Sequence, residues 1–149
     1  MTLFGHPLHP MTIHFPIAFF LLGVGLTLLY LWTAHTERRQ TEVERFAYWL
    51  FLLSLAATLL SSIVGLIDQS QLAIDDPRRA NINSHITAGL SLLVINGLLV
   101  YMRFRWPDVL LSRRWSYVGL MSLGVIVLLL TAWLGGELVY GLRLGVRGN

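Results

Sequence analysis

Apolar positions gather along this chain into four long blocks, about residues 13–34, 45–67, 84–102 and 115–139, with short polar connections between them. The blocks lack the two-residue alternation of a half-buried strand. Each approaches or exceeds the roughly 20 residues that a helix needs to cross about 30 Å of hydrocarbon. Backbone N–H and C=O groups have no water to bind inside a bilayer, so these spans must be helices. The pattern predicts an all-α, integral membrane four-helix bundle, in which residues 1–149 form a single four-span transmembrane domain of two helical hairpins. A polar loop at 69–83 joins the hairpins, and Asp75, Asp76, Pro77 and Arg78 give it turn chemistry.

Composition points the same way: 55% of the residues are hydrophobic and only 13% charged, a balance foreign to a soluble domain of this size. No basic segment precedes the first block and no small-residue cleavage pattern follows Trp32, so that block reads as a retained span rather than a secretory signal. The absence of cysteine excludes disulfides, iron–sulfur ligation, thiol redox chemistry and covalent haem attachment. Any redox centre therefore has to be held by histidine or oxygen ligands.

Charge sets the orientation. All 11 basic residues are arginine, and Arg38, Arg39, Arg45, Arg103, Arg105, Arg113 and Arg114 flank the connections after the first and third spans. Arg78, Arg79, Arg143 and Arg147 lie on the other side. The excess of cations on cytoplasmic loops then puts both termini outside, on the face of the membrane away from the cytoplasm. Tyr30, Trp32, Tyr48, Trp49, Tyr101, Trp106, Trp115 and Tyr117 gather near the same cytoplasmic interface, where amphipathic rings anchor spans at headgroup depth. Topology and anionic lipid account for the positive charge, so no nucleic acid partner is called for.

Against this apolar background His14, Asp68, His85 and Glu137 stand out, because all four fall at the outer end of the spans. The hairpins repeat faintly, with 54 positions from His14 to Asp68 and 52 from His85 to Glu137. The amino terminus, GHPLHPMTIHFP, holds His6, His9 and His14 within nine residues. Proline after His6 and after His9 disfavours helical backbone at both, and a polyproline-like segment would project the two imidazoles from one edge. Pro16 suits a first helical turn, which sets His14 at the rim of the first span. Asn83 or Ser84 is the expected cap of the third span, with His85 in its opening turn. The first and third spans run in the same direction, so His14 and His85 lie at similar depth and can meet on one metal or on opposite faces of a haem. Asp68 and Glu137 can orient a metal-binding imidazole, pair with Arg143 or relay protons, while Arg143 and the Arg78–Arg79 pair can neutralise a haem propionate. Gly135 and Gly136, beside Glu137, are expected to permit close helix approach.

GHPLHPMTIHFPIA at the start, VGLID ending the second span, SHITAGL opening the third and WLGGELVYGLRLGV at the end resemble the DUF2231 family of small bacterial four-span membrane proteins over nearly the whole chain. The resemblance maps the family's histidine-rich entry onto His6, His9 and His14, its acid after the second span onto Asp68, its third-span histidine onto His85 and its terminal acid onto Glu137. It also implies an association with Rieske-type iron–sulfur modules, hence with electron transfer. Family members commonly carry a histidine shortly after GGELVY, where this chain has Gly141, Leu142 and Arg143.

The leading expectation is therefore a membrane protein that binds haem b near the outer face, with His14 and His85 as axial ligands, and that transfers electrons rather than converting a substrate. A second reading is a non-haem site for iron, copper or zinc, built from His6, His9, His14 and His85 with Asp68 or Glu137. A third is a structural or assembly subunit without a cofactor. The lipid bilayer is the environment in all three, a Rieske-type protein is the redox partner the resemblance implies, and homo-oligomerisation is compatible with each.

Overall fold

The computed structural model describes residues 2–3, 6–7, 9, 12–33, 37–70, 73 and 75–144, and for 2–3, 6–7 and 37–41 the backbone alone. The four apolar blocks form four helices long and apolar enough to cross a membrane. The first span is His14–Trp32, the second Glu37–Ser70, the third Arg79–Arg105 and the fourth Arg114–Gly136. A short helical turn, Val109–Ser112, lies between the third and fourth, and a π-helical turn, Glu137–Gly141, prolongs the fourth. Ahead of the first span, Thr2–Leu3 pairs antiparallel with His6–Pro7.

Packing follows connectivity. The first span lies on the second and the third on the fourth, and the second and third join the two hairpins. The first and fourth spans meet only marginally, which leaves a seam between them. Phe20, Phe51, Leu99, Tyr117 and Met121 fill the core. Gly23 faces the Phe51 ring and Gly124 the Phe20 ring, close approaches that matter in lipid, where helices gain nothing from hiding apolar surface from one another. Leu22, Leu60, Val94, Ile126 and Leu129 point outward, as a lipid-facing surface requires. Inside the bundle, the buried Ser54 hydroxyl donates to the Pro16 carbonyl at 3.1 Å and accepts the Asn96 amide at 2.9 Å, tying three spans together.

Two local expectations change. The third span begins at Arg79, ahead of Asn83 and Ser84, because Asp76 accepts the backbone N–H of Arg78 at 2.9 Å and its carbonyl accepts that of Arg79 at 3.0 Å. These bonds satisfy groups that a helix start leaves open. His85 thus sits six residues into the helix, about 9 Å along its axis. His9 is helical rather than extended: its carbonyl accepts the Ile13 N–H at 3.3 Å and the Thr12 hydroxyl at 3.0 Å.

Candidate functional site: two tethered histidines

The turn that begins at His9 is fastened to the second span, with the Thr12 hydroxyl 3.2 Å from that of Ser61. The imidazole of His9 reaches the same residue, its Nδ1 lying 2.9 Å from the Ser61 carbonyl oxygen. On the other hairpin, Nδ1 of His85 lies 3.1 Å from the carbonyl oxygen of Thr131 in the fourth span. A carbonyl can only accept, so both Nδ1 atoms carry the proton. For a neutral ring this leaves the Nε2 lone pair available, the form in which histidine binds a metal.

Local sequence explains how helical carbonyls come within reach. A side chain on a helix leans toward the amino end and covers the turn before it, so the residue four places on shields a carbonyl. Four residues after Ser61 comes Gly65, and four after Thr131 comes Gly135. A Cβ on Gly65 would stand 2.9 Å from Nδ1 of His9, and one on Gly135 would stand 3.0 Å from Cε1 of His85. The missing side chains are the notches that admit the rings. His9, Ser61 and Gly65 in one hairpin thus correspond to His85, Thr131 and Gly135 in the other.

The two imidazoles meet across the hairpins with ring centroids 5.9 Å apart and planes at 82°. Two cavities, about 230 and 340 Å³, are each lined by both histidines and also share Ile13, Ser62, Gly89, Gly135 and Val139 in their walls. The larger spans the seam between the first and fourth spans, from Pro16 and Ile17 to Leu128 and Ala132. Both walls are mainly apolar, as a site for a lipophilic group would be.

The other residues singled out by sequence are placed around this pair. His14 is exposed and lines the larger cavity, so the imidazole set beside His85 is that of His9. Asp68 lines the smaller cavity. Glu137 is exposed, its carboxylate folded against Gly141 where a side chain would otherwise stand. Arg143 is exposed and adopts the left-handed conformation, φ 53°, at the end of the terminal turn. It lines neither cavity, although Leu144 beside it lines the smaller. The side chain of His6 lies outside the described residues. Among the described residues, no three of the His, Cys, Asp and Glu side chains form a group that could hold a bare metal ion. Gly135 makes the expected close approach, whereas Gly136 faces open space.

The family model described as "Predicted membrane protein (DUF2231)" matches residues 5–148, nearly the whole chain, and the chain belongs to that family. No curated protein and no solved structure matches it.

Proposed function

The chain being a DUF2231 membrane protein, we propose that it binds haem b between His9 and His85 and carries electrons near the outer face of the bacterial cytoplasmic membrane. The tethering of both imidazoles through Nδ1 carries this reading. With ring centroids 5.9 Å apart, the two imidazoles stand close enough that their Nε2 atoms would together hold one haem iron. Haem brings four nitrogen donors of its own and asks the protein for two, the number that this pair supplies. The two cavities lined by both histidines would offer apolar walls for the macrocycle.

When bound, the haem supplies one-electron redox chemistry. The chain's part is to orient and to shield. The Ser61 and Thr131 carbonyls hold both rings in the ligating tautomer and fix their orientation. Ile13, Gly89 and Val139 keep water from the pair. Held by both imidazoles, a haem would favour electron transfer over substrate conversion. The resemblance to chains joined to Rieske-type modules supports such a protein as the electron partner.

The test is the visible spectrum and metal content of protein purified from cells supplied with haem and iron. A Soret band at one haem per chain is expected. Stoichiometric iron, copper or zinc without a Soret band would replace haem by a bare ion, and neither would make the histidines structural. The orientation, with both termini outside, predicts that alkaline phosphatase fused at Asn149 is active. Activity there of a reporter that works only in the cytoplasm would move the site to the inner face.

A further inference from the structure

At the end of the bundle away from the histidines, the chain turns between the third and fourth spans in a fixed shape. The Trp106 N–H is bonded to the Met102 carbonyl at 2.9 Å, and the Asp108 carbonyl accepts Leu111 N–H at 2.8 Å and Ser112 N–H at 2.9 Å. Val109 and Leu110 are buried in the core and anchor the turn. Two arginines from its opposite ends converge on one indole: the guanidinium of Arg113 lies 4.6 Å from the Trp106 ring centroid and that of Arg105 5.7 Å. Tyr101 packs edge-on against the same indole, and Arg114 lies over Trp115 at 4.9 Å.

Two like charges on one ring repel each other. Among the described residues the acids that form ion pairs do so elsewhere, Glu44 with Arg103, Glu42 with Arg45 and Asp76 with Arg78. Asp108, in the turn itself, forms no ion pair with either arginine. The turn thus gathers two exposed cations against one indole at the end of a membrane span. Its surroundings are apolar and outward-facing, with Phe104 76% and Leu111 74% exposed.

We propose that Arg105, Trp106 and Arg113 bind the phosphate of an anionic phospholipid, whose acyl chains lie along Phe104 and Leu111. Guanidinium groups match phosphate oxygens with paired N–H donors, and the indole holds both groups in place for it. The apolar flanks select a lipid over a free phosphate ester. Such lipid binding requires neither haem nor a particular orientation of the bundle.

Native mass spectrometry of the full chain in detergent, titrated with phosphatidylglycerol or phosphatidylcholine, tests it. Each arginine near an anionic lipid is worth about 1 kcal/mol, or about 5-fold in affinity. The Arg105→Gln/Arg113→Gln variant should bind phosphatidylglycerol about 25-fold more weakly, and Arg113→Gln alone about 5-fold. Arg45→Gln, which removes another exposed arginine at the same end of the bundle, should bind as the parent does. Phosphatidylcholine should bind weakly throughout, and millimolar glycerol phosphate should not compete. Equal binding by the double variant, or an equal loss in Arg45→Gln, would overturn the site. Full competition by glycerol phosphate would overturn the lipid assignment. Unchanged thermal unfolding of the single variant keeps a binding loss distinct from misfolding.

Discussion

Adding one methyl group at Gly65 or Gly135 should dislodge an imidazole from its carbonyl. The new Cβ would stand 2.9 Å from His9 Nδ1 in the first case and 3.0 Å from His85 Cε1 in the second. Ordinary carbon contacts are about 3.5–4.0 Å, so the ring must retreat by about 0.5–1 Å. Bonds now 2.9 and 3.1 Å long would then pass the useful limit. A half-buried N–H left without its acceptor costs about 1–3 kcal/mol. Alanine in place of glycine returns about 1 kcal/mol through helix propensity. Gly25 and Gly136, whose added Cβ atoms would meet nothing within 4 Å, supply the comparison, because alanine there brings the gain without the loss. Site variants should therefore be about 1–3 kcal/mol less stable than control variants, or about 2–10 °C lower in melting temperature for a chain of this length. Thermal unfolding in one detergent measures the difference. Equal melting of Gly135→Ala and Gly136→Ala, neighbours on one helix, would refute the notch argument.

Further outcomes follow from polar groups away from the site. Asn96→Ala should destabilise the bundle by about 1–2 kcal/mol, and a double-mutant cycle with Ser54→Ala should show coupling of about 0.6–1.7 kcal/mol, the range for hydrogen bonds between spans; additive losses would contradict the bond at 2.9 Å. Glu44→Ala leaves the Arg103 guanidinium, whose side chain is only 4% exposed, without the carboxylate now 3.0 Å away. Breaking a fully buried pair costs about 3–5 kcal/mol, and with Glu44 27% exposed the expected loss is about 2 kcal/mol by equilibrium unfolding, a neutral result being contrary. In the loop outside the membrane, hydrogen bonds from the Arg78 side chain and N–H hold the Asp76 carboxyl well below its usual value, at about 2. A lowered folded-state value means that its contribution is present above the ordinary carboxylate range and fades as pH falls toward 2. Carboxyl NMR should place Asp76 below the same residue in a peptide of residues 73–79, and coincident titrations would dissolve the link to Arg78.

Hydropathy made the four spans legible because in lipid a helix must be apolar on every side, and length then fixes what can cross. Helix starts were less legible. The third begins early through bonds from Asp76, a side-chain choice that periodicity does not report. His85 was visible as a polar residue in an apolar block, but its neighbour depended on the register of the amino-terminal segment. That register is set by bonds from His9 and Thr12 to Ser61, 52 and 49 residues away, which no local spacing reveals. A signal did exist in the Ser-x-x-x-Gly and Thr-x-x-x-Gly patterns ending at Gly65 and Gly135, which read as ordinary small residues until a ring is seen to fill them. Asn96 could also have been singled out, since an amide within a span needs a partner. Arg103 read as topology alone, and its pairing with Glu44 across 59 residues became visible only once the helices were packed.

The most direct measurement of the central claim compares the visible spectra of haem-loaded His9→Ala, His85→Ala and His14→Ala proteins with that of the parent. The parent should show a low-spin spectrum. His9→Ala and His85→Ala should each turn high-spin or lose haem, because each removes one of two strong axial nitrogens, while His14→Ala, exposed at the cavity rim, should keep the low-spin form. A low-spin spectrum that survives in His9→Ala and is lost in His14→Ala would contradict the pairing, and a parent with no Soret band would contradict the haem itself.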